Sequence, residues 1–255
     1  MSVKALVIRT SGTNCDAETV KALELAGACV TLEHINHLKK NADLSAYSIL
    51  AIPGGFSYGD DVASGKIFSL EIRLNFRDAI RKFIDKGGLV IGICNGFQVL
   101  VKTGLLPDAD FEQKVTLTYN DCGKFQDRHV KMRVEKKGPG AKIWFKGLPD
   151  VIDMPMAHGE GKFYADEKML KRVIDDGHVA LRYCDNDGRT GCEFPFNPNG
   201  SLDDIAGIFD KTGQILGLMP HPERIMFKQQ GLDWKEGQTP WGLKLFENAV
   251  EHCRK

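Results

Sequence analysis

A cysteine between two glycines is the residue of this chain best suited to covalent chemistry. The segment Gly92-Ile93-Cys94-Asn95-Gly96 follows an apolar run and has the form G-x-S-x-G, with cysteine in place of serine. This spacing predicts a sharp turn from a buried strand into a helix, which lifts the sulfur above the end of the strand. The alternative is a structural cysteine whose glycines only let a helix pack on a sheet, and these five residues do not decide between the two.

A histidine and a glutamate follow a second apolar run. In the segment Met219-Pro220-His221-Pro222-Glu223-Arg224, prolines on both sides of His221 favour extended backbone. Side chains at i and i+2 of an extended chain share a face, so Glu223 is predicted to orient His221. Taken alone, the segment is more typical of a solvated surface loop. With the cysteine turn in the same chain, it predicts a triad of Cys94 as nucleophile, His221 as base and Glu223 as its orienting carboxylate.

A glycine-rich segment supplies candidate donors for a developing oxyanion. Pro53-Gly54-Gly55-Phe56-Ser57-Tyr58-Gly59-Asp60 follows a predicted strand, at the edge where an open α/β sheet binds its ligands. The backbone N–H groups of Gly55 and Asn95 are predicted to form the oxyanion hole. The run from Gly59 to Ile67 resembles a phosphate loop, but it has five residues between its glycines instead of four and ends without Ser or Thr. No nucleotide site of that type is therefore predicted.

Alternating strands and helices must position these residues. The predicted strands of the first half are Lys4–Ile8, Ala28–Ile35, Ile49–Ile52 and Leu89–Ile93, and the predicted helices are Asp16–Leu25, Phe68–Ile84 and Gly96–Thr103. The later part is richer in predicted strands, namely Val115–Tyr119, Val130–Val134, Val179–Tyr183, Ile205–Phe209 and Ile215–Met219, before a final helix over Pro240–Cys253 capped by Thr239. We expect a doubly wound α/β fold with a mostly parallel open sheet flanked by helices, a more β-rich second half, and one domain over residues 1–255.

Composition excludes several classes of partner. The chain has 255 residues, of which 42% are hydrophobic, and its 34 Lys and Arg balance 34 Asp and Glu. No net field attracts nucleic acid or an anionic membrane, so neither is an expected partner. The sequence shows no signal-peptide pattern and no apolar stretch of the ~18 residues that a membrane span needs, which predicts a cytoplasmic protein. Its seven cysteines have no metal-ligand spacing, so we expect no metal site and mostly buried, reduced thiols.

Three motifs occur in the order of a known family. With Pro53-Gly54-Gly55, Cys94-x-Gly96-x-Gln98 and His221-Pro222-Glu223, the sequence resembles the class I, triad-type glutamine amidotransferases. Within them it resembles the glutaminase subunits of phosphoribosylformylglycinamidine synthases. The segments that carry this narrower resemblance span nearly the whole chain: Gly12–Asp16, Gly54–Asp60, Cys94–Gln98, His158–Gly161, Tyr183, Asp185–Gly188, Phe196–Ser201 and Met219–Arg224.

The resemblance implies a flavodoxin-like fold and a substrate, glutamine, that Cys94 attacks. It also implies that Gln98 and Phe56 help to bind glutamine, whereas His158 and Glu160 are structural or face a partner. The expected partners are a larger ATP-dependent formylglycinamidine ribonucleotide synthetase subunit and a small bridging subunit. ATP and Mg²⁺ then belong to the synthetase, and this chain is expected to hold no cofactor.

Two other classes of function remain open from the sequence. One is a free-standing thiol hydrolase or peptidase of similar fold, which would turn over glutamine at a rate unaffected by any synthetase. The other is a regulator that has kept the fold and lost the site. The presence of Cys94, His221 and Glu223 together argues against the regulator.

Overall fold

The described residues, 2–39, 42–232, 235 and 239–254 of this computed structural model, form a nine-stranded sheet and a separate two-stranded sheet. The strands are β1 (Lys4–Arg9), β2 (Cys29–His34), β3 (Ile49–Ile52), β4 (Leu89–Ile93), β5 (Thr116–Thr118), β6 (Gln126–Val134), β7 (Val151–His158), β8 (Lys162–Tyr164), β9 (Val179–Cys184), β10 (Ile205–Phe209) and β11 (Ile215–Leu218). Their order in the large sheet is β2-β1-β3-β4-β11-β10-β9-β6-β7, and β5 pairs with β8.

The large sheet changes from parallel to antiparallel at β11. Strands β2, β1, β3, β4 and β11 run parallel, and β10, β9, β6 and β7 continue the sheet in antiparallel pairs. Every residue of β3, β4 and β11 is buried, as expected of parallel strands covered on both faces. The predicted α/β class with a β-rich second half is confirmed. The assignment of residues 1–255 to one domain stays a prediction.

Helices cover the sheet. They are α1 (Asp16–Leu25), α2 (Ile35–Leu38), α3 (Lys66–Asn75), α4 (Arg77–Asp85), α5 (Asn95–Thr103), α6 (Ala141–Trp144), α7 (Glu167–Asp175) and α8 (Trp241–Cys253). Helix α1 packs on β1 and β2 and contacts α8, whereas α5 packs on β3, β4 and β11 and contacts α3. All nine residues of α5 are buried, so the helix that follows the candidate nucleophile is fixed within the core.

The predicted helix over Phe68–Ile84 is two helices. Phe76 interrupts it with φ −127° and ψ 2°, and its side chain is buried. The prediction of one continuous helix was wrong. Helical hydrogen bonds continue across the bend, from Phe76 N–H to Ile72 O and from Ile80 N–H to Phe76 O, so the apolar residues keep their helical spacing through it. The sequence pattern therefore carries no sign of the break.

Three other expectations need correction. Strand β7 was not predicted because it contains Pro155, which an edge strand tolerates, and β7 is the last strand of the sheet. Helix α8 begins at Trp241 with Pro240 in the cap position and no side-chain cap, so Thr239 is not its cap. All seven cysteines lie within the described residues, but only Cys15, Cys94 and Cys184 are buried.

The contact between α5 and β3 leaves no space for a side chain at Gly96. A Cβ added there would lie 1.9 Å from the carbonyl oxygen of Ile52. We expect Gly96→Ala to lower the free energy of unfolding by about 2 kcal/mol or more, because backbone must move to relieve the clash. Gly159→Ala is the control, since its added Cβ would meet only Phe125, at 3.9 Å. Urea unfolding measures both, and equal effects of the two substitutions would contradict the packing argument.

Candidate active site

Cys94 lies on the sharp turn between β4 and α5. Its backbone has φ 52° and ψ −106°, a conformation that non-glycine residues rarely adopt. The Cys94 N–H donates to Leu218 O of β11 at 2.8 Å, which holds the turn against the neighbouring strand. A Cβ added at Gly92 would lie 2.7 Å from Gly96 O, so both glycines are needed for the turn. The predicted strand-to-helix turn is therefore present, with the Cys94 side chain 5% exposed.

His221 and Glu223 form a buried pair just after β11. His221 Nδ1 and Glu223 Oε1 are 2.6 Å apart, and the two side chains are 2% and 0% exposed. His221 itself is extended, but Pro222–Arg224 form a short 3-10 turn and not the predicted extended chain. The turn still brings the carboxylate to Nδ1 of the ring. Among the described residues His221 Nε2 has no hydrogen-bond partner, which leaves it available for reacting groups.

The sheet brings the cysteine and the histidine together. Strands β4 and β11 are parallel neighbours with Ile93 opposite Leu218, so the residues that follow them meet at one edge. A Cβ added at Gly54, which follows β3, would lie 2.9 Å from Cε1 of His221 and 3.4 Å from Cβ of Cys94. The two side chains therefore border one small space, which is open because residue 54 is a glycine.

The surroundings of the His221 ring favour its charged form. Burial opposes the charge, but the negative charge of Glu223, followed by the sulfurs of Cys94 and Cys15, raises the pKa of His221 well above its usual range. An imidazolium beside a thiol favours the thiolate, the reactive form of cysteine. It also has a proton available for a leaving amine.

Two backbone amides are available as oxyanion donors. Gly54 O accepts hydrogen bonds from the N–H groups of Asn14 and Cys15, at 3.4 and 3.2 Å, which fixes the peptide between Gly54 and Gly55. Gly55 has φ 135°, and its N–H has no hydrogen-bond partner among the described residues. Asn95 is the first residue of α5, where the helix leaves N–H groups unpaired. The arrangement is consistent with the predicted oxyanion hole, which stays a prediction.

Gln98 is already bonded within the protein. Its Nε2 donates to Glu160 O, and its Oε1 accepts from Asn95 Nδ2 at 3.0 Å. The same Nδ2 donates to Asp60 Oδ1 at 3.1 Å, so a chain of side chains links α5 to the glycine-rich segment. The role of Gln98 in glutamine binding stays a prediction.

The aromatic side chains of the glycine-rich segment differ in exposure. Phe56 is 47% exposed, and its ring centroid lies 6.4 Å from that of Phe125, which is also exposed. Tyr58 is instead partly buried and packs against the core. The binding role of Phe56 is not decided by this geometry.

His158 reaches the same region from the end of β7. It is 3% exposed, its Nδ1 is 3.1 Å from Asn120 Oδ1, and its Nε2 has no partner among the described residues. Burial, and then the charge of His221, lower the pKa of His158 to about 3. A neutral histidine therefore lies close to a charged one. Sequence reasoning treated His158 only as part of a family motif, because a single sequence does not reveal this proximity.

One group of possible metal ligands occurs in the described part of the chain. A sulfur, a ring nitrogen and a carboxylate oxygen of Cys15, His221 and Glu223 lie within 4.8 Å of one another. However, Glu223 Oε1 is bonded to His221, and a guanidinium nitrogen of Arg224 lies 3.0 Å from the Cys15 sulfur. A nearby cation disfavours a metal ion, so the absence of a metal site stays our prediction.

Comparison with known proteins identifies the family. The family model of the CobB/CobQ-like glutamine amidotransferase domain matches residues 2–253. The chain belongs to the glutamine amidotransferase family. It is 43% identical to phosphoribosylformylglycinamidine synthase subunit PurQ of Dehalococcoides mccartyi, over 99% of this chain and 98% of that protein. It is 40% identical to the subunit PurQ of Thermus thermophilus, over 98% of each.

A solved structure agrees with these relatives. The chain matches a chain in the structure of PurLQS from Thermotoga maritima with a TM-score of 0.74 and 32% identity, over 99% of both. The predicted class I glutamine amidotransferase fold is thereby confirmed, and the chain belongs to the PurQ branch of the family. As for membranes, each helix of the described residues is too short or too polar to cross a bilayer.

The buried neutral state of His158 predicts a dependence of stability on pH. Because its pKa falls from about 6.5 in the unfolded chain to about 3 in the folded protein, acid protonates the unfolded chain first. The contribution of His158 to the free energy of unfolding is therefore complete above pH 6.5 and is lost as the pH falls toward 3. The wild type should therefore lose stability relative to His158→Asn by up to about 1.4 kcal/mol per pH unit below 6.5. Urea unfolding at several pH values measures this, and a constant difference would contradict the assignment.

Proposed function

We propose that this chain is the glutaminase subunit of a phosphoribosylformylglycinamidine synthase, with Cys94, His221 and Glu223 as its triad. The observation that carries the proposal is the strained turn of Cys94 beside the buried His221–Glu223 pair. The chain hydrolyses glutamine to glutamate and supplies ammonia to a synthetase, which converts formylglycinamide ribonucleotide to formylglycinamidine ribonucleotide in purine biosynthesis.

In the first half of the reaction, the thiolate of Cys94 attacks the side-chain amide carbon of glutamine. The carbonyl oxygen becomes an oxyanion, to which the N–H groups of Gly55 and Asn95 donate. The His221 imidazolium gives its proton to the amide nitrogen, and the C–N bond breaks. Ammonia leaves, and a γ-glutamyl thioester remains on Cys94.

In the second half, His221 is neutral and acts as a base. It takes a proton from water, whose oxygen attacks the thioester carbon. The C–S bond then breaks, glutamate leaves, and the thiolate and the imidazolium are restored. Glu223 stabilises the positive charge of His221 at both ends of this cycle, which its 2.6 Å bond to Nδ1 supports.

The use of the ammonia requires a partner. Forming a C–N bond from an amide carbonyl needs activation by ATP, and no phosphate loop is found in this sequence. The relatives are named as subunits of phosphoribosylformylglycinamidine synthase, and the similar solved structure is that of PurLQS. We therefore assign ATP and Mg²⁺ to a larger synthetase subunit, joined by a small bridging subunit. The exposed rings of Phe56 and Phe125, beside the proposed oxyanion donor, suit a protein interface.

Loss of the Cys94 sulfur should separate glutamine-dependent from ammonia-dependent synthesis by the complex. We expect Cys94→Ser to abolish glutamine-dependent synthesis and to leave ammonia-dependent synthesis unchanged, since a hydroxyl is a much poorer nucleophile in this setting. Cys184→Ser is the matched control, because Cys184 is equally buried but lies in β9. Steady-state assays of the reconstituted complex measure both activities. Retained glutamine turnover in Cys94→Ser would remove Cys94 from the mechanism.

The subunit should depend on its synthetase. We expect the isolated chain to hydrolyse glutamine slowly. Addition of the synthetase with ATP and formylglycinamide ribonucleotide should raise the rate at least tenfold, which corresponds to a coupling free energy on the order of one to two kcal/mol. Phe56→Ala should reduce this stimulation. The control Leu74→Ala should not reduce it. Leu74 is exposed and lines a groove with Ser48 and Gly88, which precede β3 and β4, whereas the candidate active site lies where these strands end. A full rate in the isolated chain would indicate a free-standing hydrolase.

A further inference from the structure

Residues 11–15, which follow β1, form the support for the glycine-rich segment. Ser11 O accepts from Tyr58 N–H at 2.7 Å, and Gly12 O accepts from Phe56 N–H at 2.9 Å. The N–H of Cys15 donates to Gly54 O at 3.2 Å. Backbone bonds from this short segment therefore determine where the Gly54–Gly55 peptide, with its proposed oxyanion donor, is placed.

The side chain of Cys15 extends the same segment toward the triad. Cys15 is 1% exposed and occupies the N-cap position of α1. Its sulfur accepts a hydrogen bond from Arg224 Nη2 at 3.0 Å and donates to Asn14 Oδ1 at 3.2 Å. Because Arg224 directly follows Glu223, this bond ties α1 to the turn that carries the base.

The Cys15 sulfur lies close to the His221 ring. A Cβ added at Gly54 would be 3.2 Å from this sulfur and 2.9 Å from Cε1 of His221, so the two groups border the same space. The sulfur, a ring nitrogen of His221 and a carboxylate oxygen of Glu223 also lie within 4.8 Å of one another. His221 thus has Glu223 at Nδ1, Cys94 on one side and a second cysteine nearby.

We propose that Cys15 is a positioning residue of the glutaminase reaction, whose sulfur, held by Arg224, fixes the His221 ring relative to Cys94 and to the oxyanion peptide. The inference rests on the proposed function. Cys15 is not a second nucleophile, since it lacks a strained turn and its sulfur is engaged by two partners. Its loss should therefore disturb the orientation of the base and leave glutamine binding largely intact.

Three variants of the chain, assayed in the reconstituted complex with its synthetase, test this role. Cys15→Ala removes the sulfur, Cys15→Ser keeps a polar atom for Arg224, and Cys184→Ala is the control at an equally buried cysteine in β9. We expect kcat for glutamine hydrolysis to fall about tenfold to a hundredfold in Cys15→Ala, with KM within about twofold, because a small misplacement of a reacting group has effects of this size. Cys15→Ser should recover most of the rate.

The pH profile provides a readout that a purely structural role would not change. The titratable or charged groups around His221 are Glu223 and Arg224 of its own turn, Cys94 after β4, Cys15 before α1 and His158 at the end of β7. Because the Cys15 sulfur favours the imidazolium, its removal should move the alkaline limb of kcat, where His221 loses its proton, to lower pH. An unchanged kcat and an unchanged profile in Cys15→Ala would overturn the proposal.

Further measurements keep the test independent of folding. Ammonia-dependent synthesis should be normal in Cys15→Ala, and an equal loss of both activities would reveal a folding or docking defect and overturn the proposal. Arg224→Gln should also lower kcat, and combining it with Cys15→Ala should lower kcat little further.

A glutamine-analogue electrophile should label Cys94. Labelling of Cys15 instead would reverse the two roles and overturn the proposal. Glutamine turnover by Cys94→Ser would refute the proposed function itself.

Discussion

The backbone of Cys94 is the constraint on which the rest of the site depends. A non-glycine residue with φ 52° costs on the order of 1–3 kcal/mol, so the surrounding structure must hold it there. It is held by the bond from its N–H to Leu218 O and by the close contact of Gly96 with Ile52 O. These contacts join β11, α5 and β3, which are the elements that also place His221, Asn95 and Gly55. Strain at one residue is thus supported by the same packing that assembles the triad.

Two histidines in this site are held in opposite charge states. Glu223 favours the positive form of His221 in spite of burial, whereas His158 has no carboxylate partner within the described part of the chain and its neutral form is favoured. The charge on His221 is itself part of the reason that His158 cannot gain a second one. Of these two histidines, His221 is therefore the one with a proton to donate, and it lies beside Cys94. This is what a reaction that first donates a proton and then accepts one requires.

Much of this could be predicted from the sequence, since the cues were local. The bounds of β3, β4 and β10 are those that the apolar runs indicated, and the glycines around Cys94 signalled its turn. The break at Phe76 was missed because the apolar spacing continues through it, and β7 was missed because Pro155 argues against a strand unless its edge position is known. The contact between Cys15 and Arg224 joins residues 209 positions apart, which no pattern in a single sequence can reveal.

The glycine-rich segment links the surface of the protein to its chemistry. Phe56 has an exposed ring, and its N–H donates to Gly12 O. The residue before it, on the side of β3, is Gly55, whose N–H is the proposed oxyanion donor. Residues 11–15 hold both the segment and, through Cys15 and Arg224, the turn of the base. A partner that pressed on Phe56 would therefore act on the oxyanion donor and on His221 through one short support. If a synthetase docks on this surface, as proposed, its binding energy would bring the two halves of the site into place together and would couple ammonia release to the presence of an acceptor.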